Sequence, residues 1–111
     1  MQPRIWMGAV LFAAPLWAGA QALDGTALAQ KNRCLACHQV DAKRVGPSFR
    51  AVAERFAGKG EDAATLDYLA QSIRKGGRAR WGAVPMPAQP HVSEQDAHDL
   101  ARWILALPPP G

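Results

Sequence analysis

Residues 34–38 of the chain read Cys-Leu-Ala-Cys-His, and the interpretation of the whole sequence starts from this pentapeptide. Two cysteines three positions apart on one helical turn point to the same side, so both sulfurs can reach the vinyl groups along one edge of a porphyrin. The histidine that follows is then held beneath the iron. C-x-x-C-H is the attachment signature of a c-type haem. We therefore predict one covalent haem c, bound through Cys34 and Cys37, with His38 as an axial ligand of the iron.

Cys34 and Cys37 allow other interpretations as well. A thioredoxin-like redox pair or a structural disulfide would suit an exported protein, but the thioredoxin site belongs in a βαβ unit, and the sequence predicts none. Neither interpretation explains His38. A zinc site would need a fourth ligand and usually a second close pair, which the sequence does not offer. Haem attachment is the interpretation that accounts for all of these residues.

The first 22 residues have the composition of a secretory signal peptide. Arg4 gives a positive start, residues 5–19 form an apolar run, and Ala20-Gln21-Ala22 supplies a small-x-small cleavage pattern. A spanning helix needs roughly 20 apolar residues, whereas this run is shorter and contains Pro15. We expect residues 1–22 to be a cleaved signal peptide and the product to be periplasmic; an uncleaved membrane anchor is the alternative.

Residues 23–111 are enough for one domain, but their own apolar core would be small, and a large buried cofactor would enlarge it. The full chain carries a net charge of +4, which falls when Arg4 is removed and when the ionised carboxylates of a haem are added. No block of five like charges follows the signal, and the basic residues are not interleaved with aromatic ones. The sequence therefore gives no support to nucleic-acid binding.

The apolar pattern after the signal predicts helices and no strands. The first helix is predicted from about Thr26 into Cys34, with Asp24 or Thr26 as its cap. Three more segments repeat apolar residues at i, i+3, i+4 and i+7. The second helix is predicted to begin at Pro47 and to end at Gly58. Asp62 and Ser93 are the predicted caps of the third and fourth helices, which are predicted to stop at Gly76-Gly77 and at Pro108. We therefore expect an all-α domain.

A proline-rich loop over residues 78–92 contains Pro85-Met86-Pro87. Met86 is the only methionine left once Met1 and Met7 depart with the signal. The prolines restrict the backbone, which would help to hold a thioether at a fixed height over a ring. Met86 is therefore a candidate for the second axial ligand, although a methionine that fills a gap in the core is the alternative.

These landmarks together resemble the small bacterial class I cytochromes c of the c-551 type. The resemblance rests on Cys34 to His38, Val45-Gly46-Pro47-Ser48-Phe49, Trp81-Gly82, Pro85-Met86-Pro87 and Arg102-Trp103-Ile104. It extends over nearly the whole chain after the signal. The resemblance implies a class I cytochrome c fold, in which four to five helices wrap around one covalent haem and the first and last helices cross.

The resemblance also implies a role for each residue of the motif. Cys34 and Cys37 would form the thioethers, and His38 and Met86 would bind the iron from opposite sides. With both axial positions filled, no site is left for a substrate, so the iron changes only between Fe(II) and Fe(III). The implied function is that of a soluble electron carrier rather than an enzyme.

Two further residues of the haem pocket are implied by the same resemblance. The carbonyl of Pro47 would accept a hydrogen bond from the other ring nitrogen of His38, and Trp81 would donate its indole N–H to a haem propionate. Pro47 as a helix starter and Trp81 as a buried aromatic residue are the alternatives. Where close relatives often place an asparagine that bonds the methionine sulfur, this chain has Gln89.

The implied partners are respiratory or denitrification proteins. The donor would be a protein such as a cytochrome bc complex, and the acceptor one such as a terminal oxidase or a nitrite reductase. We expect a monomer with no stable membrane insertion and no nucleic-acid partner. The alternatives are a haem enzyme or ligand-binding sensor with a labile Met86, and the cytochrome subunit of a larger oxidoreductase.

Overall fold

The computed structural model describes residues 2–4, 7–10 and 24–109. Within them the chain forms four α-helices and one short 3₁₀ turn. These elements are α1 (Gly25–Lys31), the 3₁₀ turn (Cys34–Ala36), α2 (Phe49–Arg55), α3 (Ala63–Lys75) and α4 (Glu94–Leu105). The described residues form no strand, and their one β-type pairing is an isolated bridge between Gly77 and Met86. The prediction of an all-α domain is confirmed.

The predicted signal peptide, residues 1–22, lies mostly outside the described residues, and its cleavage pattern Ala20-Gln21-Ala22 lies wholly outside them. Its removal therefore stays a prediction. Among the described residues, no helix combines the length and the apolar character needed to cross a bilayer.

Each α-helix begins after a polar residue whose side chain accepts a hydrogen bond from a backbone amide of the first turn. These caps are Asp24, Ser48, Asp62 and Ser93. The prediction of Pro47 as the first residue of α2 is wrong. Because the Ser48 hydroxyl accepts from the Ala51 N–H at 3.0 Å, Ser48 is the cap and Pro47 lies just outside the helix.

The first helix is shorter than the sequence predicts. α1 ends at Lys31, and Arg33 adopts a left-handed conformation with φ 62° before the chain turns again at Cys34. Asn32 explains this end. Its Nδ2 donates to the Leu28 carbonyl at 3.0 Å, and its backbone N–H donates to the same carbonyl at 3.1 Å, so residue 32 closes the last turn with both its side chain and its main chain.

α4 lies at the centre of the core and packs against the other three α-helices. Its buried residues fall at helical spacing, as predicted: Ala97, Leu100, Ala101 and Ile104. Where the first and last helices meet, Gly25 lies against Trp103, and a Cβ at this glycine would overlap the indole ring. The two helices can approach this closely only because residue 25 has no side chain.

A polar cluster also joins α1 to α4. The Asp96 carboxylate accepts from Asn32 Nδ2 at 3.1 Å and from Lys31 Nζ at 3.2 Å. Two hydrogen bonds lower the pKa of Asp96: the bond from Asn32 has the largest effect, and the bond from Lys31 comes second. Since this pKa is lower in the folded state than in the unfolded one, ionised Asp96 stabilises the fold above the ordinary carboxyl range, and the contribution is lost as the pH falls through the folded pKa.

We expect Asp96→Asn to lower the thermal unfolding temperature at neutral pH by a few degrees. The difference from the parent protein should shrink as the pH is lowered from about 7 towards about 2, because protonation then removes the same charge from the parent. Thermal unfolding of both proteins across this range measures it. Asp99→Asn is the matched control, since it removes the same charge from α4 at a residue that contacts Gln95 of the same helix. A difference that does not change with pH would contradict the assignment.

Candidate haem site

One cleft is lined by every site residue predicted from the sequence. These residues are Cys34, Cys37, His38, Pro47, Trp81 and Met86. The volume of the cleft is about 340 Å³, and the cleft is open to solvent on one side. The rest of its wall is mainly apolar and comes from three helices, with Val52 of α2, Ile73 of α3 and Leu100 of α4 among the contributors. The cysteine motif and the methionine loop are far apart in the sequence, and folding brings them into one pocket.

The two cysteines lie at the beginning and at the cap of the 3₁₀ turn. Residues i and i+3 eclipse in such a turn, so both side chains reach the same side, and both line the cleft. The two cysteines are not joined in a disulfide. Burial raises the pKa of the Cys34 thiol, whereas a redox pair of the thioredoxin type depends on a lowered pKa. This environment disfavours the redox-pair interpretation.

The imidazole of His38 is held in one orientation by its neighbours. Its Nδ1 lies 2.8 Å from the Pro47 carbonyl oxygen, and its ring stacks on Phe49 with the centroids 5.1 Å apart. A Cβ at Gly46 would overlap the ring, so this glycine lets the backbone lie directly against it. Because a carbonyl can only accept, Nδ1 carries the proton and Nε2 keeps its lone pair. Nε2 is therefore the atom available to a metal.

The backbone of Met86 is fixed to the C-terminal end of α3. Gly77 N–H donates to the Met86 carbonyl at 3.0 Å, and Met86 N–H donates to the Gly77 carbonyl at 2.9 Å. Gln89 N–H donates to the Arg74 carbonyl at 3.1 Å. Gly76 has φ 74°, and a Cβ there would come within 2.8 Å of the Ala88 nitrogen, so only glycine fits this position. Backbone hydrogen bonds hold the methionine loop in addition to its prolines.

Gln89, which stands where relatives often place an asparagine, also lines the cleft. Its side-chain Nε2 donates to the Pro87 carbonyl at 3.1 Å. In this arrangement the amide stabilises the turn that follows Met86.

Arg55 is a cleft residue that no sequence pattern indicates. It is the last residue of α2, and its guanidinium carbon lies 3.3 Å from the centroid of the Trp81 ring. Its Nη1 donates to the Arg80 carbonyl at 2.6 Å. An exposed arginine at a helix end is ordinary in a sequence, and only the folded chain brings it to Trp81. Gly76 was expected to end α3, but nothing in the sequence indicated that it also admits the methionine loop.

These donors and this wall fit a c-type haem. The cleft offers thiols on one turn for the thioethers, an imidazole with a free Nε2, a thioether and an apolar lining. A metal held by side chains alone has less support, because residues 24–109 and the two short described segments contain no cluster of three or more His, Cys, Asp or Glu side chains that could hold an ion. The zinc interpretation of the cysteine pair therefore lacks its remaining ligands there.

Comparison with known proteins gives the same result. The family model described as cytochrome c matches residues 22–108. Cytochrome c-552 of Nitrosomonas europaea is 47% identical over 102 residues, which cover 92% of this chain and 95% of that protein. Cytochrome c-551 of Stutzerimonas stutzeri is 44% identical over 105 residues, which cover 95% of this chain and 93% of that protein.

The fold is similar to that of a solved relative. The crystal structure of wild-type Nitrosomonas europaea cytochrome c552 aligns with a TM-score of 0.69 at 43% identity, covering 75% of this chain and 99% of that one. The predictions of the class I fold, of haem c and of electron transfer are confirmed by this agreement. The chain belongs to the cytochrome c family, as a small mono-haem class I cytochrome that carries covalent haem c and transfers electrons.

Proposed function

We propose that this cytochrome is a soluble periplasmic electron carrier and not an enzyme, with its haem attached to Cys34 and Cys37 and its iron bound by His38 and Met86. One observation carries the proposal: both candidate axial ligands and both cysteines line the same cleft. When bound, the haem supplies a one-electron couple between Fe(II) and Fe(III).

The chain's own residues explain why such a site would transfer electrons and nothing else. The Pro47 carbonyl orients the His38 ring and leaves Nε2 as the atom that would bind the iron. The hydrogen bonds between Gly77 and Met86 hold the backbone from which the thioether extends. Because both ligands are held by packing and by backbone hydrogen bonds, no position opens for a substrate and little rearrangement accompanies electron transfer. A neutral thioether also favours ferrous iron and so raises the reduction potential.

We also propose that the protein works in the periplasm, between respiratory or denitrification proteins. The donor would be a protein such as a cytochrome bc complex, and the acceptor one such as a terminal oxidase or a nitrite reductase. The composition of residues 1–22 supports export. Val45 and Val84, which line the cleft and are 53% and 60% exposed, offer a partner apolar contact at its rim.

Protein isolated from the periplasm should begin at Leu23 and exceed the mass of its polypeptide by one haem. The double variant Cys34→Ala, Cys37→Ala, exported with the same leader, should have the polypeptide mass alone. Intact-protein mass spectrometry measures both. A parent protein that retains residues 1–22 would contradict the signal peptide, and a parent protein of polypeptide mass would contradict attachment at the cysteines.

Met86→Ala should abolish the iron–sulfur absorption of the ferric protein and lower the reduction potential by on the order of 0.1 V, within the span of about 0.8 V that axial ligands cover. The reduced variant should bind carbon monoxide, while the parent should not bind it rapidly at neutral pH. Arg78→Ala, which truncates an exposed residue of the same loop that does not line the cleft, should leave the spectrum unchanged and the potential nearly so. Rapid binding by the parent would favour a haem enzyme or sensor with a labile Met86. An unaltered Met86→Ala spectrum would exclude Met86 as a ligand.

Gly76→Ala should disturb Met86 without touching the haem motif. The added Cβ collides with the methionine loop, so we expect a weaker iron–sulfur absorption, a loss of about 1–3 kcal/mol in stability and unchanged haem content. Gly82→Ala is the control, because Gly82 also has a positive φ (109°) but has no atom within 4 Å of the added Cβ. Optical spectra and chemical unfolding compare the two. Equal effects on the absorption would show that backbone strain, and not the collision, is responsible.

A further inference from the structure

The wall of the haem cleft carries positive charge without a matching negative charge. Its charged lining residues are Arg33, Arg55 and Arg80, and no Asp or Glu of the described chain lines it. The ion pairs formed by described residues lie elsewhere: Lys31–Asp96, Arg50–Asp41, Arg74–Glu94 and His98–Asp67. Within that part of the chain, Arg55 and Arg80 take part in no ion pair.

Arg55 and Arg80 are nevertheless held in place. Arg55 stacks on Trp81 and donates to the Arg80 carbonyl at 2.6 Å. The Arg80 Nη1 donates to the Ser72 hydroxyl at 2.6 Å, and its guanidinium carbon lies 5.0 Å from the centroid of the Tyr68 ring. A guanidinium has five N–H donors, so each arginine is positioned by a few contacts and keeps further donors for an anion.

Two neighbouring guanidinium groups beside an apolar wall repel each other unless an anion lies between or near them. The group that this cleft binds brings such anions, because a haem carries two propionate side chains that are ionised at neutral pH. Planar guanidinium groups bind carboxylates with paired hydrogen bonds, which makes arginine well suited to this task. The unpaired charge of the wall and the charge of the cofactor are complementary.

We propose that Arg55 and Arg80 are the counter-ions of the two haem carboxylates, and that these positioning residues set the reduction potential of the site. The proposal rests on the proposed function, since it takes the cleft as the haem pocket. Arg55 belongs to α2 and Arg80 to the loop that leads to Met86. Carboxylates bound by both arginines therefore tie the methionine loop to α2. A positive charge beside the cleft also opposes the extra positive charge of ferric iron and favours the ferrous state.

The test measures the reduction potentials of Arg55→Gln and Arg80→Gln holoproteins at low salt. We expect each substitution to lower the equilibrium constant for reduction by a reference donor by roughly threefold to tenfold, where tenfold corresponds to about 59 mV. The matched control is Arg78→Gln, which removes the same charge from the same loop at a residue that is exposed, as Arg55 and Arg80 are, but does not line the cleft. Because the Arg78 side chain does not border the haem pocket, solvent screens its charge from the haem more fully, and its shift should be less than about twofold.

A second readout is the carboxylate absorption in redox-induced infrared difference spectra. It should change in both cleft variants and not in Arg78→Gln. Arg55→Lys and Arg80→Lys keep the charge but lose the paired hydrogen bonds, so they should restore most of the potential while the carboxylate bands remain altered. If a glutamine variant does not fold, the carboxylate bands of the lysine variant at that position test whether the arginine binds a haem carboxylate.

Shifts in potential equal to that of Arg78→Gln, or carboxylate bands identical to the parent's in the cleft variants, would overturn the proposal. Its failure is distinguishable from failure of the proposed function. A parent protein without covalent haem or without iron–sulfur absorption would refute the haem assignment itself, whereas a parent with both features and insensitive arginine variants would refute only the counter-ion role.

Discussion

The orientation of the His38 ring is the constraint on which the rest of the site depends, and the hydrophobic core enforces it. Phe49 stacks on the imidazole and meets Trp103 edge-on, with ring centroids 5.5 Å apart. Trp103 in turn lies against Gly25, where α1 and α4 meet. A continuous line of packed rings therefore connects the contact between the first and last helices to the proposed iron ligand. Loosening that helix contact would loosen the ligand, because a close-packed interior transmits displacement.

The sequence predicted the parts of this molecule that local chemistry determines. Asp62 and Ser93 cap their helices because an acceptor side chain at a helix start satisfies an open amide wherever the helix packs. The cysteine motif likewise indicates haem attachment without any knowledge of the tertiary structure, and the match to the cytochrome c family confirms that a haem is bound. These features are encoded within a few residues of one another.

The features that the sequence did not predict depend on residues that meet only in the folded chain. α1 ends at the point where the Asn32 side chain bonds both the Leu28 carbonyl and Asp96, and Asp96 belongs to the last helix. Arg55 joins the cleft because folding brings the end of α2 under Trp81. Neither effect follows from helix propensity or from periodicity, since both require knowing which distant segment is the neighbour.

The backbone bridge between Gly77 and Met86 separates two tasks that share one loop. Main-chain atoms of Gly77 and Met86 alone form it, so it holds the methionine backbone without using the side chains of Arg78 or Val84. The intervening surface, which includes exposed Arg78 and Val84, is then free to change in shape and charge during evolution. Lineages could exchange one electron-transfer partner for another by altering this surface while the sulfur stays where it is.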